Sequence, residues 1–150
     1  MSTMLNSTHR SVRAVRFALA AAGVAVALTA GGTFAAADTP APAPAELQAT
    51  LDQFVDPGIS TPDKEKLVVS GEQRAANIET MTGKLAGYGT IGFVVTDVQA
   101  TGDNADASVA ISSPHGTIPG FHMSWQHSDA GWQLTDGSAC TILALGRAAC

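Results

Sequence analysis

Between Ile91 and Thr135, apolar and polar residues change places at every second position, the period of an antiparallel sheet with one buried face. Ala107, Val109 and Ile111 alternate with Asp106, Ser108 and Ala110. Phe121, Met123 and Trp125 alternate with His122, Ser124 and Gln126, and Trp132 and Leu134 with Gln133 and Thr135. The spacing predicts four successive strands. The first, Ile91 to Val98, is ambiguous: Phe93 and Val95 argue for one face, Val94 and Val98 for the other. Thr101-Gly102-Asp103-Asn104 reads as the first turn, with a bulge there at Gly102 or Asn104, and Ser113-Pro114-His115-Gly116 reads as the second. Pro119-Gly120 marks an edge or a bulge at the start of the third strand. A Ser128-Asp129-Ala130-Gly131 loop pairs His127 with Trp132, Trp125 with Leu134 and Met123 with Asp136. That register sets both tryptophans on the face of Phe121 and Leu134.

Helical spacing flanks this block. Leu47, Leu51, Phe54 and Val55 form one stripe, stopped by Asp56-Pro57-Gly58. Thr61 is placed to cap a short second helix with Pro62 at its first position, and Leu67 and Val68 face inward. Ser70-Gly71-Glu72-Gln73 matches a capping box opening a third helix, whose apolar side is Ala75, Ile78, Met81 or Thr82, and Leu85. Asp136-Gly137-Ser138 would cap a last helix, Ala139 to Leu145, with Ile142, Leu143 and Leu145 apolar. Helices, then strands, then a helix make an α+β domain: N-terminal helices on a curved four-stranded antiparallel sheet with a short C-terminal helix.

Residues 1–37 read as an export segment. Arg10, Arg13 and Arg16 precede an apolar run from Phe17 to about Ala30, and Ala35-Ala36-Ala37 supplies the small–x–small pattern for cleavage before Asp38. An uncleaved N-terminal membrane anchor from Phe17 to Ala37 is the alternative. Residues 38–45 alternate proline with alanine and read as an extended Pro/Ala linker; the domain is then 46–150. After Ala37 stand five basic and thirteen acidic residues, a balance that repels phosphate backbones and anionic membrane surfaces. Nucleic acid and, after cleavage, membrane are therefore set aside as partners, leaving an unidentified envelope or extracellular partner. Cys140 and Cys150 are the two cysteines. In an exported chain they are expected to form a disulfide, which requires the chain to double back after Gly146.

Phe93-Val94-Val95-Thr96-Asp97-Val98-Gln99, Ala107-Ser108-Val109-Ala110-Ile111-Ser112, and Gly131-Trp132-Gln133-Leu134 running into Ser138-Ala139-Cys140 resemble the C-terminal domain of the low-molecular-weight secreted antigens of mycobacteria and related actinobacteria, the Mtb-twelve type. Leu47 to Asp56-Pro57 is similar to the opening helix of that group, so the resemblance spans about Ala45 to Cys150. It implies a small secreted domain, with signal peptide and linker, that has no established enzymatic activity and brings no catalytic residues. The arrangement of elements also resembles NTF2-like and cystatin-like folds, an analogy that carries no function.

The chemistry in the residues themselves is sparse. His115, His122 and His127 are dispersed, and His122 and His127 fall on opposite faces of one strand, so no metal site and no cofactor are expected. Asp103-Asn104-Ala105-Asp106 lacks the glycine and distal glutamate of a calcium loop. No serine stands in a Gly-x-Ser-x-Gly elbow. Two readings remain. One is a non-enzymatic binder using the sheet face of His122, Ser124 and Gln126, or a pocket between sheet and helices. The other is a pocket enzyme on an NTF2-like fold, which needs Asp97, His122 or His127 buried against a cavity.

Overall fold

The computed structural model describes residues 39–150. The export segment, its cleavage point at Ala37–Asp38 and the anchor alternative lie outside the described residues. The elements run α1 (Pro44–Val55), α2 (Thr61–Glu65), a 3-10 turn (Gly71–Arg74), α3 (Ala75–Leu85), β1 (Gly92–Thr101), β2 (Asn104–Ser113), β3 (Gly116–Ser128), β4 (Gly131–Leu134) and α4 (Asp136–Leu145). The strands form one antiparallel sheet in sequential order, curved and unclosed, and the fold is α+β.

The period-two pattern is realised strand by strand. Ala105, Ala107, Val109 and Ile111 of β2 are buried, as are Met123 and Trp125 of β3 and Trp132 and Leu134 of β4. His127 pairs with Trp132 and Trp125 with Leu134, as the loop length required. Ser128 itself pairs with Gly131, so the connection shortens to Asp129-Ala130, with Gly131 at φ +89°. The expected pairing of Met123 with Asp136 does not form, because β4 ends at Leu134 and Asp136 opens α4. In its place the Thr135 amide donates to the Ser124 carbonyl at 3.0 Å, and the Ser124 amide donates to Ser138 Oγ at 2.7 Å. The first turn of the helix thus satisfies the strand that β4 leaves open.

Two bulges settle what alternation alone left ambiguous. Thr96 pairs with Ser108, but the next partners are Gln99 and Asp106, so β1 holds one extra residue. Asp97 takes it up at φ +55°, a left-handed conformation that aspartate tolerates better than most residues. The parity of β1 flips there. Val98 therefore packs on the core with Phe93 and Val95, while Val94 stays outside. The expected bulge at the Thr101–Asn104 turn is corrected by this: Thr101 pairs directly with Asn104, and Gly102 at φ +57° serves the tight turn. The second bulge lies at Pro119-Gly120. Val109 pairs with Phe121 and Ile111 with Ile118, and Gly120 at φ +85° absorbs the extra residue.

α1 buries the expected stripe of Leu47, Leu51, Phe54 and Val55 and adds Thr50. Thr50 Oγ1 donates to the Leu47 carbonyl at 2.7 Å and accepts from Trp125 Nε1 at 2.8 Å. Of the stretch expected as linker, Pro44 and Ala45 belong to α1 and Pro42 is buried. Proline fits the first helical turn because its missing N–H has no partner there anyway. Ser60, not Thr61, caps α2 through Asp63. The capping box at Ser70 is absent. Ser70 sits at φ +56° without a side-chain cap, and a 3-10 turn precedes α3. The cause is upstream. Val69 donates to the Leu134 carbonyl and Leu134 to the Leu67 carbonyl, so this segment lies along the free edge of β4. Reaching α3 from there forces a sharp turn, in which a Cβ on Gly71 would stand 2.1 Å from the Glu65 carbonyl oxygen. Lys64 is fully buried, with Nζ on Thr82 Oγ1 at 2.8 Å. Burial draws its pKa below the ordinary 10.5, against the opposing pull of Asp56.

The Thr50–Trp125 contact joins the first helix to the middle of the sheet in a dry interior. Thr50→Val keeps the shape and removes the acceptor, leaving a buried indole N–H unmet. Urea denaturation should show a loss of about 1–3 kcal/mol. Thr50→Ser, which keeps the oxygen, should lose clearly less.

Candidate functional site

At one end of the molecule the helices and the sheet diverge and leave a cavity of about 690 Å³. The topology collects its walls. The start of β1 supplies Phe93, the end of β2 Ile111 and the start of β3 Ile118. Met81 and Leu85 face them from α3, and Ile142 and Leu145 from α4. Tyr88 stands at the loop after α3, its ring 5.4 Å from that of His115 in the β2–β3 turn. Gly89 sits in the same place at φ +99°, and a Cβ there would lie 2.7 Å from Pro114 Cγ. These two contacts hold the loop against the turn. The size is within the range of small-molecule pockets, which are mostly apolar with a few polar groups.

The second bulge delivers one of these walls. In an unbroken alternation Phe121, Pro119 and Thr117 would share a face. The extra residue at Pro119-Gly120 moves Ile118 onto the inner side, opposite Ile111. Ile118 is nonetheless 54% exposed, Leu145 48% and Tyr88 42%. In sequence, Leu145 stands with Ile142 and Leu143 as the apolar residues of the last helix. Only the latter two are buried, because Leu145 reaches the open mouth of the cavity.

Two cations stand on the rim, Lys84 and Arg147. Their position follows from how the chain ends. Thr135, not the Asp136-Gly137-Ser138 segment, is the N-cap residue of α4. At the other end Arg147 adopts φ +56° and the Ala148 amide donates to the Leu143 carbonyl at 2.8 Å, a Schellman closure. Gly146 does not supply the left-handed residue. Its need for glycine is spatial, since a Cβ would meet Met81 Cγ at 2.7 Å. Cys140 and Cys150 form a disulfide with Cα atoms 5.6 Å apart, so the chain doubles back after Gly146 as the cysteine spacing required. Asn77 Nδ2 donates to the Ala148 and Ala149 carbonyls, and Lys84 Nζ to the Arg147 carbonyl at 2.5 Å.

The residues singled out from sequence fall elsewhere. His122, Ser124 and Gln126 lie on the outer face, opposite Ser108, Asp106 and Asn104. Ser124 Oγ donates to Asp106 Oδ1 at 2.6 Å. Asp97 is exposed and accepts from its neighbour Thr96. His127 lies with its ring edge-on to Trp132, the centroids 5.1 Å apart. None of these lines the cavity. Lys84, Tyr88, Ile118 and Arg147 were not singled out. A trace of them is visible only in retrospect, as an isoleucine before Pro-Gly and an arginine close to the second cysteine. Among the described residues, no three His, Cys, Asp or Glu side chains gather as a metal site would require.

Removing the disulfide by Cys140→Ala with Cys150→Ala should lower stability by about 2–3 kcal/mol in chemical denaturation, the scale of closing a loop of this length. The intact oxidised chain should weigh two hydrogens less than the reduced one.

The family model described as low molecular weight antigen MTB12, C-terminal domain, matches residues 40–150. No curated protein matches the chain.

Proposed function

The chain belongs to that antigen-domain family, and we propose that it works outside the cell as a non-enzymatic binding domain whose site is the cavity between helices and sheet. The observation that carries this reading is the make-up of the cavity. Its walls are aliphatic and aromatic, and its lining contains neither a carboxylate nor a histidine. The pocket enzyme expected from the sequence needs Asp97 or a histidine buried there, and the lysine and tyrosine that do line it, Lys84 and Tyr88, are exposed. Asp97 and His122 are exposed, and His127 packs on Trp132 away from the cavity. The hydroxyl of Ser113, which does line it, donates to the Gly116 carbonyl and accepts from the His115 amide, so it is spent on the turn. The polar sheet face of His122, Ser124 and Gln126 is the second candidate surface. The cavity is preferred because it offers apolar area that water wets poorly.

Export is supported by the basic start, the apolar run and the Ala35-Ala36-Ala37 pattern, together with the family. Among the described residues no helix is long and apolar enough to cross a membrane.

Nile red, an uncharged apolar dye, should brighten on the full chain and lose most of that signal on Ile118→Asp, a substitution at an exposed wall position. An undiminished signal would remove the cavity as the site. N-terminal sequencing of protein recovered from culture medium should begin at Asp38. An intact Met1 in the membrane fraction would contradict export.

A further inference from the structure

The charges around the cavity are unlike those of the rest of the domain. After Ala37 acidic residues outnumber basic ones thirteen to five. Three of the five cations are occupied within the fold. Lys66 pairs with Asp63 at 2.8 Å, and Arg74 forks onto both oxygens of Asp136 at 2.7 and 2.8 Å. Lys64 is buried on Thr82. The remaining two, Lys84 and Arg147, stand together on the cavity rim, and among the described residues neither has a carboxylate within ion-pair distance. No carboxylate lines the cavity at all. An acidic domain thus keeps its two exposed cations that lack an ion-pair partner at the mouth of an apolar cavity.

Three of the four large apolar side chains that the described surface exposes are in the same place: Tyr88, Ile118 and Leu145. Arg147 also occupies a left-handed position, where helix ends ordinarily place glycine. An arginine held in that conformation stores backbone strain, a feature that concentrates at binding sites. Lys84 gives one of its three N–H bonds to the Arg147 carbonyl, so two remain for a ligand, and the guanidinium of Arg147 is a fork suited to two oxygens.

Taking the cavity as the binding site, as above, we propose that its ligand is a single anionic amphiphile of the long-chain carboxylic acid class. The carboxylate sits between Lys84 and Arg147, and the hydrocarbon body lies against Phe93, Ile111, Ile118 and Ile142. Charge and apolar surface are both complemented by this class. A neutral hydrocarbon leaves the cations unused, and a cationic amphiphile is repelled by them.

The test titrates the full chain with dodecanoate, dodecanol and dodecyltrimethylammonium, each below the concentration at which it forms micelles, and follows the backbone amide signals of Ile118 and Leu145 by NMR. Dodecanoate should shift both signals and bind at least about tenfold more tightly than dodecanol, a ratio in the range of a charge-assisted pair of hydrogen bonds. The double variant Lys84→Glu with Arg147→Glu should reverse the order in favour of dodecyltrimethylammonium, with its melting temperature measured alongside. Ile118→Asp should weaken all three. Equal binding of dodecanoate and dodecanol to the natural chain, or unchanged dodecanoate binding in the charge-reversed variant, would overturn the anionic ligand class and leave the cavity as a binding site. No shift at Ile118 or Leu145 with any probe would overturn both readings. A self-associating chain whose contact surface includes Ile118 would overturn the amphiphile in favour of a second copy.

Discussion

The indole of Trp125 has one means of satisfying its N–H in a dry core, and that means is Thr50. Trp125 is fully buried at the point where β3 meets both β2 and β4, opposite Ala105 on one side and Leu134 on the other. Its partner lies on α1, seventy-five residues earlier in the chain. An apolar stripe alone would let the helix rotate or slide over the sheet, because hydrophobic burial is not directional. The hydrogen bond to Thr50 fixes the helix in one register. Thr50 is itself held by the Leu47 carbonyl, so the oxygen cannot turn away. Everything around the cavity is referred to this alignment, since Val55 at the end of α1 is one of its walls.

Both borders of the short fourth strand are finished by segments that are not strands. Along its free edge run Leu67 to Val69, with Gln133 Nε2 on the Lys66 carbonyl at 2.8 Å. Beyond its end, Thr135 and Ser138 occupy the polar groups of Ser124. An exposed strand edge invites pairing with another chain, and here the edge is covered. The Arg74–Asp136 pair joins the same two regions, the entrance to α3 and the entrance to α4. The guanidinium hydrogen bonds hold the Asp136 carboxyl below its ordinary 3.8, so the pair persists until the pH falls under that value.

The elements that were legible in the sequence are those dominated by a single periodic signal. The stripe of α1, the alternation of β2 and the register of Trp125 with Leu134 needed only spacing and loop length. The disulfide needed only the count of two cysteines and the expectation of export. What could not be read is where local rules yield to tertiary ones. Ser70 begins a good capping box, yet the pull of the β4 edge on Val69 holds it in a left-handed turn. Asp97 reads as an ordinary strand residue, yet it carries the bulge that explains Val98. The cavity was harder still. Its walls come from six separate elements or their flanking loops, and the longest unbroken run among them is the three residues Leu145-Gly146-Arg147. The rim charges Lys84 and Arg147 acquire meaning only once their three fellow cations are seen to be engaged elsewhere.

Both bulges have the same arithmetic. Each adds one residue to a strand, and each exchanges the inner and outer faces of everything beyond it. For the stretch from Gly116 to Ile118, membership of the cavity wall is therefore decided by a count and not by side-chain identity. Replacing Pro119 or Gly120 by other residues alters how comfortably the bulge sits. Deleting either would remove the bulge and leave Ile118 two places from Phe121, still opposite Ile111 on the inner face, whereas straightening the strand with both residues kept would turn Ile118 to solvent and bring Thr117 inward. The constraint on this part of the chain is one of parity, set jointly by residue number and by whether a bulge forms. Natural variation at this site would show it as two residues between Ile118 and Phe121 held in a bulge, or one held in regular strand, with an inward side chain at the position of Ile118 in both.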